Sequence, residues 1–112
     1  MENKLNEDLN ELNILQQRLH IFDTQSRQME FSIKEIETSI TEASKVEDKV
    51  YSIIGSIMIP KDPKEVIKDL ELQKTQLSAN LVIINKQIEK LSKKSEEIQS
   101  KIQESLKDEK SN

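Results

Sequence analysis

The sequence has no cysteine and no tryptophan, and among its 112 residues it has only one glycine, two prolines and one histidine. The absence of cysteine excludes a disulfide scaffold, a thiolate metal site and a cysteine nucleophile. The single histidine, His20, cannot form a histidine-rich metal site, and we expect it to be solvated on a helix surface. Glycine and proline mark turns, so their scarcity excludes a many-stranded barrel or sandwich. The composition favours a few very long helices.

The charges are mixed in sign, with lysine and glutamate interspersed and a formal net charge of −4. This arrangement offers no basic stripe for nucleic acid and no polybasic patch for a membrane. No apolar run approaches the roughly 20 residues that cross a bilayer. The residues from Met1 to Lys4 lack the apolar segment of a signal peptide, so the expected location is the cytoplasm. Without a phosphate-binding loop or a metal-ligand cluster, we expect no catalytic residue, no metal, no cofactor and no enzymatic activity.

The clearest pattern lies in residues 63–107, where core positions recur at alternating steps of three and four over five heptads. A core pattern this regular, with charges outside it, is typical of a coiled-coil helix. We call these core positions, in either helix, the seam. The seam of the second helix is Ile67, Leu70, Lys74, Leu77, Leu81, Ile84, Ile88, Leu91, Ser95, Ile98 and Ile102.

Residues 4–45 carry the same pattern and predict the first helix. Its seam is Leu12, Leu15, Leu19, Phe22, Ser26, Met29, Ile33, Ile36, Ile40 and Ala43. Toward the N-terminus Leu5 and Leu9 continue the pattern, but Leu9, Leu12 and Leu15 follow one another at two steps of three. Two such steps predict a local stammer that shifts the seam. Ile14 and Ile21 lie off the seam, and we expect them to be exposed.

The two seams fit each other in one antiparallel register. Facing residue numbers total 110 along most of the chain, as for Ile40 with Leu70 or Leu12 with Ile98, and 111 for Leu9 with Ile102 and Leu5 with Leu106. The fold class predicted is therefore mainly α, with two long helices in an antiparallel coiled coil, each about 60 Å long at 1.5 Å per residue. We expect one domain over residues 1–112.

The connector, residues 49–60, is rich in β-branched residues and carries the only glycine at its centre. Gly55-Ser56 fits a two-residue type II′ turn, with φ > 0 at the glycine. This turn pairs Ile54 with Ile57, and we expect Pro60 to limit pairing at the strand end. After the hairpin, Asp62 is a good N-cap and Pro63 suits the first helical position.

Both faces of the predicted hairpin are apolar, and two helix ends cannot cover both. An isolated two-stranded hairpin is marginal in water, and open strand edges promote aggregation. We therefore expect hairpins from several subunits to join into a shared sheet or closed barrel. The residues assigned to this assembly are Val50, Tyr51, Ile53, Ile54, Gly55, Ile57, Met58 and Ile59.

This layout resembles the beta-type subunits of the prefoldin family. The segment that carries the resemblance runs Val50-Tyr51-Ser52-Ile53-Ile54-Gly55-Ser56-Ile57-Met58-Ile59 and continues through Asp62 and Lys64-Glu65 into Ile67-Lys68-Asp69-Leu70. It is similar to the family's Val-Tyr-x-x-Val-Gly hairpin, with Ile54 where valine is common. A single hairpin is typical of the beta class and not of the alpha class.

The resemblance implies a cytosolic, ATP-independent chaperone. Two alpha-type and four beta-type subunits would assemble through their hairpins into a β-barrel platform carrying six coiled coils. The ends of these coils would grip unfolded polypeptides and deliver them to a group II chaperonin. The alternative is a structural coiled-coil scaffold subunit of a prefoldin-like complex that never binds clients.

The helix ends far from the connector hold the candidate client-binding residues. We call this set the distal tip: Leu5, Leu9, Leu12, Ile14, Ile98, Ile102 and Leu106. Its members other than Ile14 are, on one interpretation, simply the last layers of the seam. On the other, they offer apolar surface to a client where the stammer and the helix ends loosen the pairing. The two roles are compatible, since the same residues could open to bind.

Overall fold

A computed structural model of the chain describes residues 2–110. It contains, in chain order, α1 (Glu2–Ser44), β1 (Val50–Ile54), β2 (Ile57–Lys61) and α2 (Pro63–Lys110). The predicted class, two long helices joined by one β-hairpin, is confirmed. Helix α2 extends three residues beyond the predicted end at residue 107, because no glycine or proline interrupts this polar stretch. The assignment of residues 1–112 to one domain stays a prediction, and residues 1, 111 and 112 lie outside the described part.

The start of α2 follows from its capping residue. The Lys64 backbone N–H donates a 3.0 Å hydrogen bond to Asp62 Oδ1. The N–H groups of Glu65 and Val66 donate to the Asp62 carbonyl oxygen. Pro63, the first residue of the helix, has no N–H that needs a partner. The predicted N-cap and helix start are therefore confirmed.

The chain divides into two compact units, one formed by the residues up to Ser26 and from Ile83 onward, the other by Arg27–Val82. The core of the first unit is an apolar cluster that joins α1 to α2. It consists of Leu15, Ile98 and Ile102, with Leu5, Leu12 and Leu91 packed against it. Polar contacts flank it: Ser26 Oγ donates to Asn85 Oδ1 at 2.9 Å, and Lys94 Nζ lies 3.5 Å from Glu11 Oε1.

The second unit contains the hairpin and the adjoining helix segments. Ala43 is buried here, and Ile36, Ile40, Leu70 and the other seam residues are half-buried. Lys74 takes a seam position that an apolar residue would normally fill. Its side chain is 40% exposed, and its Nζ lies 3.2 Å from Glu37 Oε1. A pair this exposed contributes about 0–1 kcal/mol, so its main effect is to keep the ammonium group at the surface.

The seam predicted from the sequence is confirmed over most of both helices. Every seam residue from Leu12 to Ala43 and from Ile67 to Ile102 is buried or half-buried. Ile14 and Ile21, which lie off the seam, are exposed as expected. In the first unit Leu15 and Ser95, whose numbers total 110, are 4% and 6% exposed.

The predicted stammer at the N-terminal end of α1 is wrong. Asp8 is buried, at 9% exposure, while Leu9 is 46% exposed. The seam therefore runs Leu5, Asp8, Leu12 and Leu15, at unbroken steps of three and four. At the C-terminal end of α2 the same displacement occurs: Ser105 is half-buried and Leu106 is 46% exposed. Each helix end keeps the same helical phase as the rest of its seam, and this phase decides which residue turns inward. As a result, Leu9 and Leu106 each lie one position outside the seam.

The hairpin has the predicted register, with Ile54 opposite Ile57, Ile53 opposite Met58, and Ser52 opposite Ile59. Gly55 has φ of +63°, and no other described residue has a positive φ. A type I′ turn needs positive φ at both central residues, so the turn is type II′. The expected limit at Pro60 is wrong, because β2 continues to Lys61, which lies opposite Val50. Counting from the turn, Pro60 falls at a non-hydrogen-bonded position, where its missing N–H is not needed.

Cysteines introduced at seam positions 33 and 77 are expected to form a disulfide within one chain. Ile33 and Leu77 are both half-buried in the second unit, and the register in which facing numbers total 110 places them opposite each other, as an intrachain disulfide requires. Mild oxidation followed by non-reducing electrophoresis and mass measurement checks this, and the chain has no cysteine of its own to interfere. Cysteines at the exposed positions of Phe31 and Leu72 serve as the control. Crosslinking at 33 and 77 only between chains would contradict the intrachain register.

Candidate functional site

The hairpin presents apolar side chains on both of its faces. Cross-strand pairs share a face, and successive pairs alternate. One face therefore carries Ile54 and Ile57, and the other carries Ile53 and Met58. The exposed fractions are 59% for Tyr51, 72% for Ile53, 57% for Ile54, 63% for Ile57 and 61% for Met58. The described residues leave more than half of each of these side chains exposed, in agreement with the prediction that two helix ends cannot cover both faces.

The base of the hairpin is partly covered, which the sequence did not indicate. Val50 and Ser52 are half-buried, and Ile59 is 37% exposed. A cavity of about 530 Å³ lies here between the hairpin and the adjoining helix ends. Its lining includes Val50, Tyr51, Ser52, Ala43, Val46, Val66 and Leu70. The helices therefore support the base of the strands and leave the part near the turn open.

The distal tip is a mixture of exposed and buried apolar side chains. Leu9, Ile14 and Leu106 are 46%, 52% and 46% exposed and are available without any rearrangement. Leu5 and Leu12 are half-buried. Ile98 and Ile102 are 4% and 8% exposed and belong to the core cluster of the first unit. The structure therefore brings four of the seven predicted residues into the seam and leaves Leu9, Ile14 and Leu106 outside it. On α2, Ser105 takes the seam position next to Leu106.

Asp8 is the residue of the distal tip that sequence reasoning missed. It lies in the seam one helical turn from both Leu5 and Leu12, and its Oδ2 atom is buried without a hydrogen-bond partner among the described residues. A choice by hydrophobicity places the neighbouring Leu9 in the core, because it is apolar. A strict extension of the heptad from Leu15 back to Leu12 and then by four residues would have pointed to Asp8.

The lysines near the middle of the first unit are accompanied by carboxylates. Lys93 Nζ lies 3.7 Å from Glu89 Oε1, in addition to the pair between Lys94 and Glu11. The described residues contain no group of three or more histidine, cysteine or acidic side chains placed to hold a metal ion. Within residues 2–110, neither helix has a stretch long and apolar enough to cross a membrane. The surfaces left to explain are the hairpin and the distal tip.

Comparison of the sequence with known proteins gives the same family by two routes, a family model and curated relatives. The family model described as prefoldin subunit matches residues 6–109. Prefoldin subunit beta of Archaeoglobus fulgidus is 33% identical over 98 residues, which cover 86% of this chain and 84% of the relative. Prefoldin subunit beta of Thermoplasma volcanium is 34% identical over 103 residues, covering 89% and 83%.

The fold of this chain is similar to that of a protein of known structure. The crystal structure of the prefoldin beta subunit from Thermococcus strain KS-1 superposes with a TM-score of 0.84 at 22% identity, covering 92% of each chain. At this identity the likeness shows the fold alone, and the sequence matches supply the family. The resemblance seen in the hairpin segment is thereby confirmed, and the chain belongs to the prefoldin family, as a beta-type subunit.

Proposed function

We propose that this chain is a subunit of an ATP-independent chaperone that holds unfolded polypeptides at its distal tip and passes them to a group II chaperonin. The observation that carries the proposal is the exposure of Leu9, Ile14 and Leu106 in the first unit, next to a small apolar cluster. Apolar contact is non-directional and grows with the area buried, which suits clients that share no sequence. Membership in prefoldin, a family of chaperones and not of enzymes, supports it.

The hairpin is the surface through which the chain joins other prefoldin subunits in this proposal. Its exposed isoleucines and Met58 form an apolar area on both faces, and its two strands have free edges. Sharing these edges with other hairpins satisfies the backbone groups and buries the side chains. The assembly proposed is a cytoplasmic hetero-hexamer of two alpha-type and four beta-type subunits.

Assembly matters for client binding because a single distal tip offers little area. A fully buried leucine or isoleucine contributes about 1.5–3 kcal/mol, and only three side chains of each tip are exposed. Several tips on one platform bind one client at a high effective concentration, which can raise avidity by about 10²–10⁴. Several weak contacts therefore add to a strong overall affinity for the client, while each single contact remains reversible.

Replacing the exposed leucines of the distal tip is expected to weaken client binding. In the double variant Leu9→Ser, Leu106→Ser each tip loses two half-exposed side chains, which corresponds to a loss of about tenfold or more in affinity per tip. The measurement is suppression of aggregation when citrate synthase, unfolded in guanidinium chloride, is diluted into the assembled protein. Because both leucines lie outside the seam, we expect unchanged helix content by circular dichroism.

The matched control is Leu72→Ser, Val82→Ser. These side chains are 60% and 53% exposed, so the control removes a similar exposed apolar area from the second unit. It is expected to protect the client as the parent does. Equal protection by both double variants would contradict the proposed role of the tip and favour a structural scaffold subunit that binds no clients.

A further inference from the structure

The seam of the first unit contains one buried carboxylate, that of Asp8. The residue is 9% exposed, and its Oδ2 atom has no hydrogen-bond partner among the described residues. Its neighbours one turn away in the seam, Leu5 and Leu12, pack against the core cluster of Ile98 and Ile102. The carboxylate therefore lies within the small group of apolar side chains that holds the ends of α1 and α2 together.

A carboxylate oxygen buried without a donor loses its hydration and gains nothing in return. Separating the two helix ends would return this oxygen to water. The same separation would expose Leu5, Leu12, Ile98 and Ile102, which the closed tip keeps half-buried or buried. Asp8 thus raises the free energy of the closed tip and leaves that of an open tip almost unchanged. Such a residue increases the population of open tips before any client arrives.

We propose that Asp8 sets how readily the distal tip opens, and that opening supplies the client with the buried apolar side chains in addition to the three exposed ones. The proposal rests on the proposed function and names the residue that adjusts it. An apolar residue at this position would complete the seam and hold the tip shut, at the expense of client binding. Asp8 acts as a positioning residue, since it changes the state of its neighbours and need not touch the client.

The test replaces Asp8 and follows both the tip and the client. In Asp8→Leu the seam becomes apolar, and in Asp8→Asn the charge is lost while a polar group stays buried. Glu7→Leu is the matched control, because it makes the same kind of change at an exposed neighbouring position. Hydrogen–deuterium exchange of the full assembled chain is measured for peptides covering residues 3–15 and 95–106, together with suppression of citrate synthase aggregation.

Exchange in these peptides is expected to slow by at least about fivefold in Asp8→Leu, since a buried unpaired polar group is removed, and by less in Asp8→Asn. Protection of the client is expected to fall in the same order. Glu7→Leu should neither slow exchange nor reduce protection. Unchanged exchange in Asp8→Leu, or slower exchange with undiminished protection, would overturn the proposal.

A covalent lock provides a second measurement. Cysteines at positions 12 and 98, which face each other in the register that totals 110, should close the tip when oxidised. Client protection is expected to drop in the oxidised form and to recover on reduction of the same sample. Equal protection in both redox states would show that opening is not required and would also overturn the proposal.

These outcomes are separate from those that test the proposed function itself. If Leu9→Ser, Leu106→Ser weakens client protection but Asp8→Leu and the disulfide between positions 12 and 98 do not, the distal tip binds clients and only the proposed role of Asp8 is wrong. If the double variant Leu9→Ser, Leu106→Ser protects the client as well as the parent does, the proposed function itself is wrong.

Discussion

The double substitution Ile54→Asp, Ile57→Asp is expected to yield a helical chain that does not assemble with other subunits. The two residues lie directly opposite each other beside the turn and share one face of the hairpin. Both are more than half exposed in the isolated chain, so the unassembled chain tolerates the charges. In a shared sheet the two carboxylates would be buried at a cost of several kcal/mol, and they would also repel each other across the strands.

The measurements are native mass or light scattering for assembly and circular dichroism for helix content. Leu72→Asp, Val82→Asp is the matched control, because it places two carboxylates at similarly exposed apolar positions of α2. The control should assemble as the parent does. If the hairpin variant forms normal assemblies, the subunits are held together elsewhere, and the assembly role of the hairpin is wrong.

Removing residues 1–9 and 102–112 together is expected to abolish client protection while assembly persists. This truncation deletes Leu5, Leu9, Ile102 and Leu106 and takes a member of the core cluster from the first unit. The hairpin belongs to the second unit and is untouched. The assembled truncated protein should therefore have the expected number of subunits by native mass and fail to suppress the aggregation of citrate synthase.

A shorter truncation serves as the control for this experiment. Removing residues 107–112 deletes only polar side chains, so client protection should remain. Raising salt on the intact protein is expected to weaken protection little, because screening acts on ionic contacts and not on apolar ones. Full protection by the long truncation would show that the deleted residues are not required, with Ile14 and the exposed Phe31 and Ile83 as the next surfaces to test.

Much of this fold follows from local patterns in the sequence. Apolar residues at alternating spacings of three and four specify which side of a long helix is apolar. Two such helices of matching length have one antiparallel register in which both seams face each other. The hairpin follows from β-branched residues around a single glycine, and the start of α2 follows from Asp62 and Pro63. Each of these features depends on the spacing of apolar residues or on the backbone preferences of a few adjacent residues, so the sequence alone determines them.

Only the tertiary structure shows which residues are buried in the seam at the helix ends. A choice by hydrophobicity selects Leu9 and Leu106, whereas the structure buries Asp8 and half-buries Ser105. A straight continuation of the helix preserves the phase of the whole seam, while inserting Leu9 would require local overwinding. In the same way, the pairing of β1 with β2 decided that Pro60 stays inside a strand. Both outcomes depend on more than the immediate neighbours in the chain, namely on the phase of the whole seam and on the pairing of the strands. The burial of Asp8, the residue we infer to control the tip, therefore does not follow from hydrophobicity alone.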